Sequence, residues 1–152
     1  MARLLALDAA TEACSVALID GEKRYQRFEV QPRQHARLLL PMVESIMQEA
    51  GLQPTELDAL AVGRGPGSFT GVRIAISTAQ GLAYAVQLPC IPVSNLLALA
   101  QAANLAEGEL GVMAIDARMS EVYWALCAKK EGRLQLISEE RVEAMSRVRW
   151  PD

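Results

Sequence analysis

The alternation of apolar and polar positions predicts the order β-β-β-α-β-α-β-α over the first two thirds of the chain. Apolar runs at 3–8 and 13–20 are typical of buried strands, and Asp20 with Gly21 predicts a hairpin turn into a third strand at 23–30. The remaining predicted elements are helices at 35–50, 70–86 and 95–104 and strands at 57–63 and 90–93. This order indicates an α/β domain.

The strand pattern then starts again. "LLALDA" at 4–9 is echoed by "VMAIDA" at 112–117, and at the same offset "SVALI" at 15–19 aligns with "YWALC" at 123–127. A third strand is predicted at 132–141. On this interpretation the second copy contains its strands but not its helices.

The repeat also predicts the domain organisation. An N-terminal βββαβαβα domain is expected at 1–106, followed by the start of a truncated, mainly β second domain at 107–152.

Composition and charge narrow the class of protein. The net charge of −3 gives no general attraction to nucleic acid, so any RNA is expected to bind only through a complex that supplies the positive charge. No apolar run approaches the ~20 residues that cross a bilayer, and the N-terminus is not a signal peptide. Cys14, Cys90 and Cys127 lack metal-like spacing and are expected to be small apolar residues in a reducing compartment. A cytoplasmic protein is therefore expected.

The stretch "GRGPGSFTG" at 63–71 joins a predicted strand to a predicted helix, where glycine-rich turns often hold phosphate. A P-loop is excluded because no lysine lies between residues 24 and 128, and the dinucleotide fingerprint fails because Thr70 replaces its third glycine. Two interpretations stay open. In one, Gly65 and Gly67 supply positive φ and Asp8 is a turn residue. In the other, the loop is a remnant nucleotide or anion site formed by Asp8, Gly65, Gly67, Ser68 and Thr70.

His35 is the single histidine of the chain and stands at the start of the first predicted helix. It lacks the further ligands that a metal site needs, and no Ser-His-Asp, Cys-His or H-E-x-x-H pattern supports a peptidase. We interpret His35 as a helix-start or interface residue.

The predicted helices 35–50 and 70–86 are apolar on more than one side, which indicates a partner in addition to their own sheet. Ala75 and Ala79 are expected to let a second helix approach closely. The predicted interface consists of His35, Leu38, Leu39, Met42, Val43, Ile46, Phe69, Val72, Arg73, Ile76 and Ala79.

Three stretches in this order, "LLALDAATEACSVALI", "HARLLLPMVESIMQEAGL" and "GRGPGSFTGVRIAISTAQGLA", resemble the TsaB (YeaZ) family from the N-terminus to about residue 127. The resemblance implies the actin-like ATPase (sugar kinase/Hsp70/actin) fold, built from two copies of βββαβαβα. It also implies a part in forming N6-threonylcarbamoyladenosine at position 37 of tRNAs that read ANN codons.

The same resemblance implies a non-catalytic scaffold or activator subunit, an inactive paralogue of TsaD. It would bind TsaD through the two helices, join TsaE in a ternary complex, contact tRNA only through that complex, and pair with itself when alone. Asn95 and Leu99 stand where TsaD has metal-binding histidines, so neither a metal nor a cofactor is expected. The alternative is an actin-fold ATPase or phosphotransferase that uses Asp8 and the loop 63–71. The choice between homodimer and heterodimer stays open.

Overall fold

The computed structural model describes residues Met1–Arg149, which belong to two compact units. The first unit comprises Met1–Arg64 and Ser68–Val93. The second comprises Gly65–Gly67 and, within the described residues, 94–149. The glycine loop is thus the point at which the chain first enters the second unit.

A five-stranded sheet and two helices form the first unit. The strands are β1 (Arg3–Asp8), β2 (Ala13–Asp20), β3 (Lys23–Val30), β4 (Ala59–Gly63) and β5 (Cys90–Val93), and the helices are α1 (His35–Ala50) and α2 (Phe69–Val86). The strand order is β3-β2-β1-β4-β5, with β1 to β3 antiparallel and β4 parallel to both β1 and β5. A parallel pair needs a crossover connection, which α2 supplies between β4 and β5.

Helices α1 and α2 cover one face of this sheet and enclose its core. Leu5 lies opposite both Leu18 and Leu60, and all three side chains are almost fully buried. Because every second residue of a strand points to the same face, such positions build one continuous apolar layer. Leu39 and Ile46 of α1 are fully buried in the same core cluster. Each such side chain contributes about 1.5–3 kcal/mol when removed from water.

The second unit holds a four-stranded sheet and one helix. Its elements are α3 (Asn95–Ala102), β6 (Leu110–Arg118), β7 (Glu121–Lys130), β8 (Arg133–Leu136) and β9 (Arg141–Ala144). The strands β6, β8 and β9 all pair antiparallel with β7. Leu96 and Ala100 of α3 pack with Met113 of β6 and Ala125 of β7 in a separate core.

The prediction of one continuous third strand at 132–141 is wrong. β8 pairs with residues 127–130 of β7 and β9 with residues 121–124, so the two strands follow each other along the same partner. Between them the Ser138 hydroxyl accepts the Leu126 N–H at 2.9 Å, a bond that a strand carbonyl would otherwise take. A side chain that replaces a backbone acceptor interrupts the ladder, and residues 137–140 lie between the two strands.

Other element boundaries differ from the predicted ones by one or two residues. β4 begins at Ala59 and α3 ends at Ala102. α2 begins at Phe69, because the Ser68 side chain caps the helix by accepting the Gly71 N–H. The predicted domain boundary after residue 106 stays a prediction.

The three cysteines are unpaired and all lie in strands, and two of them belong to the two cores. Cys14 and Cys127 are buried, whereas Cys90 is partly exposed. Burial raises the pKa of the Cys14 and Cys127 thiols, which disfavours the reactive thiolate.

The residue that ends α2 offers a test of local backbone strain. Gln87 has φ 54° and ψ 42°, a left-handed conformation that favours glycine. We expect Gln87→Gly to raise the free energy of unfolding by about 0.5–1 kcal/mol, measured by urea denaturation. Gln80→Gly, an exposed position inside the same helix, is the control and should lower it by about 1 kcal/mol. Equal effects of the two changes would contradict the strain at Gln87.

Candidate functional site: the start of α2 and the α1–α2 surface

The glycine loop is held by α3 through two reciprocal hydrogen bonds within the second unit. The Gly65 N–H donates to Asn95 Oδ1 at 2.8 Å, and the Asn95 N–H donates to the Gly65 carbonyl at 2.9 Å. Gly65 has φ 93°, as the structural interpretation of the loop expects, whereas Gly67 is not in the left-handed region. Gly65 is therefore the loop residue whose backbone requires a glycine.

The start of α2 is closed by the turn that follows β1. The Ser68 N–H donates to the Ala10 carbonyl at 2.7 Å. A Cβ on Gly71 would lie 1.9 Å from the Ala9 carbonyl oxygen, so only glycine permits this approach. Main-chain carbonyl oxygens thus face the helix N-terminus, where a phosphate would bind in a nucleotide cradle. This arrangement favours the structural interpretation of the loop, while the remnant anion site stays a prediction.

The two strand-end aspartates make the same local contact in both units. Asp8 Oδ1 accepts the Ala10 N–H at 3.0 Å, and Asp116 Oδ1 accepts the Arg118 N–H at 2.8 Å. A carboxylate that accepts the N–H two residues later stabilises a turn. Both aspartates therefore act as turn residues, whatever further contacts Asp8 makes.

His35 is buried and bonded to the same turn. His35 is the first residue of α1 and is 8% exposed. Its Nε2 lies 2.8 Å from the Thr11 carbonyl oxygen. A carbonyl can only accept, so Nε2 carries the hydrogen and donates. His35 thus has the helix-start role and is not a surface residue.

Six of the eleven predicted interface residues lie in the interior of this chain. The buried residues are His35, Leu39, Met42, Val43, Ile46 and Ala79. Leu38, Val72 and Ile76 are partly buried, and only Phe69 and Arg73 are exposed. A side chain that is already covered cannot contact a partner, so the surface differs from the predicted set.

The stripe of small residues on α2 faces inward, which corrects the role expected for Ala75 and Ala79. Together with Gly71 and Ala83 they form the buried side of the helix. Their small side chains let α2 lie close to its own sheet, as the contact between Gly71 and Ala9 requires. They do not serve the approach of a second helix.

An open groove runs along the outer side of α1 and α2. Its volume is about 410 Å³, and it is lined by Ala36, Leu40, Phe69, Thr70, Arg73, Ile74, Ser77 and Thr78. Leu40 is 47% exposed and Phe69 73% exposed, so the groove presents two large apolar side chains to solvent side by side. Helical spacing places Leu40 beside the inward positions Leu39 and Val43, so spacing alone does not separate it from the core.

Arg73 is held in a fixed position at this groove. Its guanidinium carbon lies 3.5 Å from the centre of the Phe69 ring, and its Nη1 donates to the Phe69 carbonyl at 2.9 Å. The stacked pair presents an aromatic ring and a positive charge side by side.

The described part of the chain contains neither a metal-binding cluster nor a membrane-spanning helix. Within residues 1–149, no three or more His, Cys, Asp or Glu side chains are grouped so as to hold a metal ion. Asn95, which replaces a metal-binding histidine in the resemblance, bonds to the loop instead, and Leu99 is an exposed apolar residue. None of the helices in this part of the chain is long and apolar enough to cross a membrane.

Similarity to known proteins decides the family. The family model described as "TsaD: tRNA N6-adenosine threonylcarbamoyltransferase" matches residues 29–150. The Escherichia coli "tRNA threonylcarbamoyladenosine biosynthesis protein TsaB" is 55% identical, over 81% of this chain and 54% of that protein. The solved structure "YeaZ from Pseudomonas aeruginosa" has a TM-score of 0.92 at 51% identity, covering 99% of this chain and 71% of that one. The chain belongs to the TsaB (YeaZ) family.

The family is related to TsaD, and the mixed α/β sheets of this TsaB-family chain fit an actin-like α/β fold. The Haemophilus influenzae relative of the same name is 53% identical, over 86% of this chain and 56% of that protein. The chain spans about half the length of the curated TsaB relatives that it matches.

The contact between Gly71 and Ala9 can be tested with a matched pair of glycines on α2. We expect Gly71→Ala to lower the free energy of unfolding by about 2–3 kcal/mol, because the added methyl overlaps a backbone oxygen. Gly81→Ala meets nothing within 4 Å and should raise it by about 1 kcal/mol. Urea denaturation of both variants measures the difference. A stable Gly71→Ala protein would show that α2 is not held against the turn.

Proposed function

We propose that this TsaB-family chain is a non-catalytic scaffold subunit in the formation of N6-threonylcarbamoyladenosine on tRNA. It binds TsaD through the α1–α2 surface and thereby activates the complex, which TsaE completes. The names of its relatives support the pathway. The observation that carries the proposal is the exposed groove that contains Leu40 and Phe69. The start of α2 beside this groove is already bonded to a main-chain carbonyl of the same chain.

The charge of the groove indicates the chemistry of the partner. The residues that line it include one guanidinium, that of Arg73, and no carboxylate. Covering this guanidinium without an anionic group would leave a buried unpaired charge, which costs several kcal/mol. The TsaD surface that docks here therefore supplies apolar side chains and a carboxylate. A second copy of this chain occupies the same surface more weakly when TsaD is absent, because its groove lining supplies apolar side chains but a second Arg73 and no carboxylate.

The second sheet is proposed to be the start of a second copy of the βββαβαβα domain. The same turn contact at Asp8 and Asp116 supports this view. The proposed domains are 1–106 and 107–152, and the proposed location is the cytoplasm.

The alternative function is an actin-fold ATPase or phosphotransferase that uses Asp8 and the loop 63–71. The Ala9 and Ala10 carbonyls weigh against it, because they place acceptor atoms where phosphate oxygens would need donors. Isothermal titration with ATP and Mg²⁺ distinguishes the two functions. Saturable, Mg²⁺-dependent binding at micromolar ATP would favour the enzyme.

The first test is light scattering coupled to size-exclusion chromatography, on the chain alone and mixed with TsaD from the same organism. We expect a complex of the two chains at micromolar concentration. A chain that remains monomeric in both samples would contradict the scaffold function for the residues present here.

Substitutions on the groove test the surface. We expect Phe69→Ala to weaken TsaD binding at least tenfold, because central aromatic contacts carry much of an interface's energy. Leu40→Asp should abolish binding, because it places an unpaired carboxylate in the covered groove. Both residues are exposed, so the fold should survive, whereas a charge at Leu39 would enter the core.

Phe28→Ala is the matched control for Phe69→Ala. Phe28 is 57% exposed but lies on β3, outside the groove. Binding and reconstituted tRNA modification should both stay at the wild-type level. An equal loss from the two phenylalanine variants would show that binding does not use the α1–α2 surface.

A further inference from the structure

We propose that His35 is a positioning residue for the docking surface, because it holds the turn between β1 and β2 to which the start of α2 is also bonded. The predicted effect on TsaD affinity rests on the proposed function. The predicted effect of His35 on the start of α2 does not depend on it. It assigns a role to the single histidine of the chain, which is buried where the partner cannot touch it.

Two consecutive carbonyls of one turn hold the starts of two helices. The Thr11 carbonyl accepts from His35 Nε2 at 2.8 Å, and the Ala10 carbonyl accepts from the Ser68 N–H at 2.7 Å. His35 is the first residue of α1, and Ser68 is the N-cap of α2. The two helix starts, which are far apart in sequence, are therefore joined through a bridge of two residues.

The turn is stiff enough to transmit this restraint. Asp8 Oδ1 accepts the Ala10 N–H at 3.0 Å, and Thr11 Oγ1 accepts the Ala13 N–H at 3.2 Å. Side-chain bonds of this kind fix the local backbone as an additional turn would. A displacement at Thr11 consequently moves Ala10 and its bond to Ser68.

The residues next to these bonds are the ones that the partner is proposed to contact. Ala36 follows His35 in α1, and Phe69 and Thr70 follow Ser68 in α2, and all three line the groove. The spacing of the two helix starts sets the width of this end of the groove. Holding it in the bound geometry reduces the ordering cost of association.

The position of the donor atom gives a matched pair of substitutions. Gln places an amide nitrogen about where His has Nε2, whereas Asn places it about where His has Nδ1. His35→Gln can keep the bond to the Thr11 carbonyl, and His35→Asn cannot, although both changes introduce a neutral amide. Far-UV circular dichroism and urea denaturation first establish that both variants fold.

The structural readout is amide hydrogen exchange at Ser68, which is remote from the substituted side chain in sequence. We expect His35→Asn to accelerate exchange at Ser68 about tenfold, the effect of weakening one hydrogen bond, and His35→Gln to restore the slow rate. A purely local role of His35 would change exchange at the start of α1 and leave Ser68 unchanged. That result would overturn the inference.

The functional readout is the affinity for TsaD, measured by titration with each full chain. We expect His35→Asn to weaken binding about three- to tenfold and His35→Gln to bind as the wild type does. Faster exchange at Ser68 with unchanged affinity would overturn the positioning role. If the wild-type chain does not bind TsaD, the proposed function fails, while the exchange comparison still decides whether His35 holds the turn.

Discussion

The contact between the end of β1 and the start of α2 sets the arrangement of the first unit. The Ala9 carbonyl touches Gly71, where any side chain would overlap it, and the Ala10 carbonyl accepts the Ser68 N–H. From this point α2 continues along the sheet on the small buried residues Gly71, Ala75, Ala79 and Ala83. Because the helix lies so close to the strands, its larger side chains are directed to the flanks and outwards.

This contact also places carbonyl oxygens at the start of α2, where the glycine-rich loops of nucleotide-binding proteins hold phosphate. A glycine-rich turn between a strand and a helix holds phosphate when its N–H groups point to an open space. Here the N–H groups of Gly65 and Ser68 are bonded to Asn95 and Ala10. The α1–α2 groove, which stays open, presents Leu40 and Phe69 beside the Arg73 guanidinium.

Which apolar residues of α1 and α2 are exposed could not be predicted from the sequence alone. Three consecutive leucines, at 38 to 40, reveal that α1 is apolar on more than one side. Leu39 is fully buried and Leu40 is 47% exposed, and this difference depends on how the helix is rotated about its axis. Packing against the sheet and the bond from His35 to Thr11 both restrain that rotation. For the same reason Ala75 and Ala79 could not be assigned to a sheet or to a partner from their size.

The order of strands and helices could be predicted from the sequence because side-chain periodicity, turn residues and caps act over a few neighbouring residues. The exclusion of a P-loop followed in the same way, since it depends on fixed spacing. The partners of the polar groups could not be predicted. The Ser68 N–H donates to the Ala10 carbonyl, and the Leu126 N–H donates to the Ser138 hydroxyl. The second bond interrupts the predicted third strand of the second unit. These bonds join residues that are distant along the chain, and only the packing of whole strands and helices brings them within reach of each other.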